Sequence, residues 1–209
     1  AKACALLVHG YTCSMDLAIT RRIAEGLAGE GISVLRFDLP GHGKTDGIAF
    51  ADSTFSDYRA AVLAVVEHMR RNLRAPTILV GHSLGGAALL AAASEIPEAK
   101  AIATIGTPAD VSEVVRLIGA SPDEVRANGE AEVVISGFTF RIRRAFLDDA
   151  AQHNITAGLG HLRKALLVLH APRDEIVGID NAKRIYAAAK HPKSFVSLDE
   201  GDHLLTKPA

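Results

Sequence analysis

The chain has 209 residues, long enough for one domain to bury a sizeable core without disulfide or metal staples. Apolar residues make up 48% and charged residues 22%, which excludes a disordered or collagen-like chain. Lys plus Arg (23) nearly balance Asp plus Glu (24), and the longest basic cluster, 141–144, is broken by Ile142 and reads as a solvated face, so no nucleic-acid partner is expected.

No apolar stretch reaches the roughly 18 residues needed to span a bilayer. The opening AKACALLVHG lacks the basic segment and long apolar run of a secretory signal. Cys4 and Cys13 form no disulfide framework, so a reducing, cytoplasmic setting is the expectation.

Along the chain, short apolar runs alternate with segments of helical period. Residues 3–9 (ACALLVH) read as a strand short enough to be buried on both faces. Leu17, Ile19, Ile23, Ala24 and Leu27 give residues 17–28 a helical spacing that stops at Gly29 and Gly31. A strand over 32–37, a Gly- and Pro-containing loop over 38–50 and a helix over 55–73 follow. Next come a strand at 77–81, an Ala- and Leu-rich helix at 84–95 and a strand at 100–105. Two further strands, 165–170 and 194–198, flank a helix over 179–189.

Such alternation predicts an α/β fold: an open, mostly parallel six-stranded sheet with helices on both faces. Residues 107–164 interrupt the rhythm after the fourth strand. They contain helical segments and a predicted hairpin, 133–135 turning at Ser136-Gly137 into 138–142. An insertion there lies where ligands bind in open α/β sheets, so a small cap within a single domain is expected.

The chemical signal is Gly81-His82-Ser83-Leu84-Gly85, a G-x-S-x-G. With 18 Gly and 11 Ser, chance alone gives roughly 0.08 such matches per chain, but this one follows the strand TILVG and opens a helix. That is the setting of a nucleophile elbow, in which glycines at 81, 85 and 86 let strand and helix crowd together. The helix N-terminus supplies N–H groups for an oxyanion. Serine needs a base held by an acid, and after an elbow the chain order is Ser, acid, His.

Asp174, after ALLVLH, and His203, after SFVSL, both fall in loops at carboxyl ends of strands. Glu175, Asp199 and Asp202 are the competing acids, and Asp202 is disfavoured by its adjacency to His203. The other histidines, including His9, His42, His82 and His170, have surface or turn-packing readings. For the second oxyanion donor, beside Leu84 N–H, the His9-Gly10-Tyr11-Thr12 loop offers Tyr11 N–H. Cys13 beside it reads as a small packing residue more than a redox thiol. No H-E-x-x-H, C-x-x-C, G-x-G-x-x-G or Walker-type loop is present, so neither metal nor cofactor is expected.

VHGYTC, LRFDLPGHGKTDG, LVGHSLGG, LHAPRDEIVG and SLDEGDHLL together resemble the serine α/β-hydrolase superfamily over nearly the whole chain. More narrowly, VGHSLGGAALLAAA, AIATIGTPAD, GEAEVVISG and HPKSFVSLDEGDHLL resemble the hydrolase half of bacterial proteins fused to an osmotically inducible protein C (OsmC)-type domain. The resemblance implies hydrolysis of a small-molecule carboxylic ester through an acyl-enzyme; the alternatives are a thioesterase, amidase or C–C hydrolase of the same fold, or a non-catalytic interaction module. It carries Ser83, Asp174 and His203 as triad, Tyr11 and Leu84 as oxyanion pair, and a homodimer or an OsmC-type domain as partner. Small acyl groups are expected over long lipid chains because the cap is short. The chain departs from the superfamily pattern in starting at the oxyanion strand and in stopping six residues past His203.

Overall fold

The computed structural model describes residues 2–135 and 138–206. Elements follow in the order β1 (Ala3–Val8), α1 (Ala18–Gly29), β2 (Ile32–Phe37), α2 (Phe55–Asn72), β3 (Ile78–His82), α3 (Leu84–Ala92) and β4 (Ala101–Ile105). An insertion then contributes α4 (Val114–Leu117), α5 (Pro122–Asn128), β5 (Glu130–Ile135), β6 (Phe138–Arg143) and α6 (Arg144–Ala150). The core resumes with β7 (Ala165–His170), α7 (Asp180–Ala188) and β8 (Lys193–Ser197).

Six strands form one parallel sheet in the order β2-β1-β3-β4-β7-β8, as the alternation of apolar runs predicts. Register sorts the side chains. Leu6, Leu79, Ile102 and Leu166 lie side by side on one face, where the apolar stripes of α2, α3 and α7 cover them. Leu7 and Val80 point to the opposite face, which α1 covers with Ile23, Ala24 and Leu27. The chain runs from β1 outward to β2 and then returns to place β3 on the other side of β1. The reversal leaves a crevice at the carboxyl ends of β1 and β3, the place where open α/β sheets bind ligands.

Local sequence explains the main helix. Thr54 and Asp57 form a reciprocal capping box that satisfies first-turn N–H groups of α2. Phe55, Tyr58, Val62, Val66 and Met69 then recur every three or four residues and are all buried.

The insertion contains the predicted hairpin with longer strands, β5 pairing antiparallel with β6 from Glu130↔Arg143 to Ile135↔Phe138. Its turn, Ser136-Gly137, lies outside the described residues. The insertion shares the core of the sheet's helical layer, contributing Val111, Val125, Phe146, Leu147 and Ala150 to it. Arg141, Arg143 and Arg144 each pair with carboxylates, the solvated face expected of them. Among the described residues no helix is long and apolar enough to cross a membrane.

Candidate active site

Ser83 stands between β3 and α3 with φ 52° and ψ −129°, a region that non-glycine residues rarely occupy. Its N–H donates to the Ile105 carbonyl at 2.8 Å, which ties the turn to β4. The tight geometry depends on missing side chains. A Cβ on Gly85 would stand 2.2 Å from the His9 carbonyl oxygen, and one on Gly10 would stand 2.8 Å from the Ser83 Cβ. Those close approaches press the loop after β1 against the serine.

The three residues predicted from chain order come together. His203 Nε2 lies 3.0 Å from Ser83 Oγ, and His203 Nδ1 lies 2.7 Å from Asp174 Oδ2. Asp174 is buried, and its Oδ1 accepts from the Ile176 and Val177 N–H groups at 3.0 and 2.8 Å. Burial works against the Asp174 carboxylate, but the His203 hydrogen bond and charge and the two N–H donors outweigh it, so its pKa lies below the ordinary value. The competing acids face elsewhere: Asp202 accepts from Thr206, Asp199 from Ser197, and Glu175 lies exposed at the rim of the adjoining cavity.

Tyr11 N–H and Leu84 N–H make no hydrogen bond among the described residues, and a first-turn N–H such as that of Leu84 has no intrahelical acceptor. The Tyr11 ring is buried among His42, Phe50 and Phe146. Cys13 carries a free thiol in the same cavity wall, and burial pushes it up to about 11, so it stays protonated at neutral pH. Among the described residues no group of three or more His, Cys, Asp or Glu is placed to hold a metal ion.

Sequence reasoning missed the work of four histidines. His9 Nε2 accepts from Leu39 N–H at 3.0 Å, and His42 Nε2 accepts from Thr12 N–H at 3.2 Å. The second of these bonds anchors the residue beside Tyr11. His82 Nε2 donates to the His203 carbonyl at 2.8 Å, linking the elbow to the loop that carries His203. His170 Nε2 donates to the Val177 carbonyl at 2.6 Å, bracing the turn that holds Asp174. The one signal in the sequence was position, since His9, His82 and His170 each adjoin the end of a strand or the elbow, while His42 lies within the loop after β2.

Burial pushes His42 down to about 4 and His82 down to about 3, with the neighbouring His203 adding to the second. In the unfolded chain both titrate near 6.5. Between those values the unfolded state binds protons that the folded state refuses, so stability is complete above pH 6.5 and falls as the pH drops towards 4. The loss assignable to His42 alone is about 3 kcal/mol at one pKa unit per 1.36 kcal/mol. Urea midpoints taken at pH 7 and pH 4.5 should differ accordingly; equal midpoints would show that these imidazoles are not buried as neutral groups.

A cavity of about 720 Å³ opens beside Ser83 and His203. The insertion and Leu17 supply an apolar wall that includes Val114, Leu117, Ile118 and Phe140, and the loops after β7 and β8 supply the opposite wall.

A family model described as serine aminopeptidase, S33, matches residues 1–120. The chain is 29% identical to palmitoyl-protein thioesterase ABHD10, mitochondrial, of Mus musculus, over 98% of this chain and 70% of that protein. It is 28% identical to the Homo sapiens protein of the same name over 82% of this chain, spanning 57% of that protein's length. Among solved structures, the esterase domain from a Rhodothermus marinus protein superposes with a TM-score of 0.75 at 40% identity, covering 98% of this chain and 80% of that one. With the matched model covering more than half the chain and the sheet and elbow already in place, the chain belongs to the serine aminopeptidase S33 family of serine α/β-hydrolases.

Proposed function

We propose that the chain is a serine esterase that hydrolyses small carboxylic esters through an acyl-enzyme. The observation that carries the reading is the continuous hydrogen-bonded line from Ser83 Oγ through the His203 imidazole to the Asp174 carboxylate. His203 Nε2 takes the hydroxyl proton as Oγ attacks the ester carbonyl carbon. Asp174 holds the Nδ1–H tautomer and stabilises the imidazolium as it forms. The Tyr11 and Leu84 N–H groups receive the developing oxyanion, each donor contributing about 3–4 kcal/mol of transition-state stabilisation. His203 then protonates the leaving group, and in the second half-reaction it activates the water that releases the acid. Residues 107–164 act as a cap that supplies the apolar wall of the site.

A serine-directed fluorophosphonate tests this reading. It should attach covalently at Ser83, as read by mass spectrometry of the labelled peptide. Attachment elsewhere, or none, would remove the mechanism. p-Nitrophenyl esters of rising acyl length should give their highest kcat/KM with short chains, and a maximum at sixteen carbons would overturn the small-ester part alone.

Thioester hydrolysis is the second reading, favoured by the similarity to the palmitoyl-protein thioesterase ABHD10 over nearly the whole chain. The same three side chains serve both reactions, because the leaving atom changes and the acyl-enzyme does not.

A further inference from the structure

Charge is not spread evenly around the cavity. Among the described residues that line it, Arg173, Glu175, Glu200 and Asp202 carry formal charge, and all four lie in the two loops that present Asp174 and His203. The opposite wall, from the insertion and Leu17, is apolar. Arg173 is already paired with Glu200 at 2.8 Å, and Asp202 accepts from the Thr206 N–H at 2.8 Å. Glu175 is exposed and makes no ion pair among the described residues. Among the described residues Arg173 and Glu200 offset each other, and the exposed Glu175 carboxylate adds negative charge to that side of the cavity.

The proton path fixes which part of a substrate meets which wall. The group that departs must take its proton from His203 Nε2, so its first atom lies within hydrogen-bond reach of that nitrogen. Its remainder then leaves over the residues flanking His203 and Asp174. The acyl part stays bonded to Ser83 Oγ after the leaving group has gone, and it is left facing the apolar wall.

On the reading of Ser83 and His203 as nucleophile and base, we propose that the His203 side of this cavity selects leaving groups by charge. The substrate class is an apolar acyl group joined to a neutral or cationic alcohol or thiol, and Glu175 is a specificity-determining residue that disfavours anionic leaving groups. Polyphosphorylated carriers are the class most strongly rejected. The interaction is one between solvent-facing charges, so it amounts to about tenfold in rate at low ionic strength and is screened by salt.

The test uses three butyryl thioesters that differ in the leaving thiol: 2-mercaptoethanol (neutral), thiocholine (cationic) and 3-mercaptopropionate (anionic). Each kcat/KM is divided by that ester's own hydroxide-catalysed rate, which removes differences in thiol acidity. The normalised cationic-to-anionic ratio should be about ten at low salt, fall towards one in 0.5 M sodium chloride, and shrink about threefold in Glu175→Gln. A ratio of one or below at low salt, with the neutral thioester still turned over, would overturn the charge selection and leave the hydrolase reading intact. Failure to hydrolyse any of the three, together with no fluorophosphonate attachment at Ser83, would remove both.

Discussion

Replacing Ser83 by alanine is expected to lower kcat by about 10⁶, the size of effect seen when the nucleophile of a serine triad is removed. The residue left behind keeps its backbone bond to Ile105 and its place before α3, so the first-turn N–H groups stay where they are. Residual hydrolysis about 10³ above water, from oxyanion binding alone, is therefore part of the expected result. The fold should be retained, because the Ser83 hydroxyl reaches His203 Nε2 and alanine tolerates the same backbone angles no worse than serine. Steady-state kinetics with a p-nitrophenyl ester, paired with thermal unfolding, separates the two effects. Activity unchanged in a folded variant would end the case for Ser83 as nucleophile.

Asp174→Asn should lower kcat by about 10⁴ while KM changes little. Both carboxylate oxygens act as acceptors: Oδ1 takes two backbone N–H bonds and Oδ2 faces His203 Nδ1. Asparagine has only one acceptor atom. If its oxygen stays with the backbone donors, its amide N–H₂ points at Nδ1 and imposes the tautomer that carries the proton on Nε2. That imidazole cannot accept the Ser83 proton. Raising the pH should recover part of the rate, since serine ionisation replaces general-base catalysis there, and a loss smaller than tenfold at pH 7 would place the orienting carboxylate elsewhere.

The sheet was legible in the chain because short apolar runs alternate with segments of helical period, and each strand was placed within a residue or two, even the edge strand β8, which lies largely exposed. Ser83, Asp174 and His203 were legible because each follows a strand, and parallel strands deliver their following loops to one edge. The four bracing histidines were not, because they bond to backbone atoms of other segments; His82 and the His203 carbonyl are 121 residues apart. The short α4 was hidden for a related reason. Four residues carry too little periodicity to announce a helix, and Val114 and Val115 are held by burial in the shared core.

That shared core also bears on how firmly the insertion is held. Phe146, Leu147 and Ala150 are embedded against the same side chains as α2, so swinging residues 107–164 outward as a door would expose them. Re-wetting the phenylalanine and leucine alone costs about 3–6 kcal/mol, a large part of the stability of a whole domain. Residues 107–164 are therefore expected to stay seated on the sheet's helical layer, leaving the cavity beside Ser83 with walls that hold their spacing.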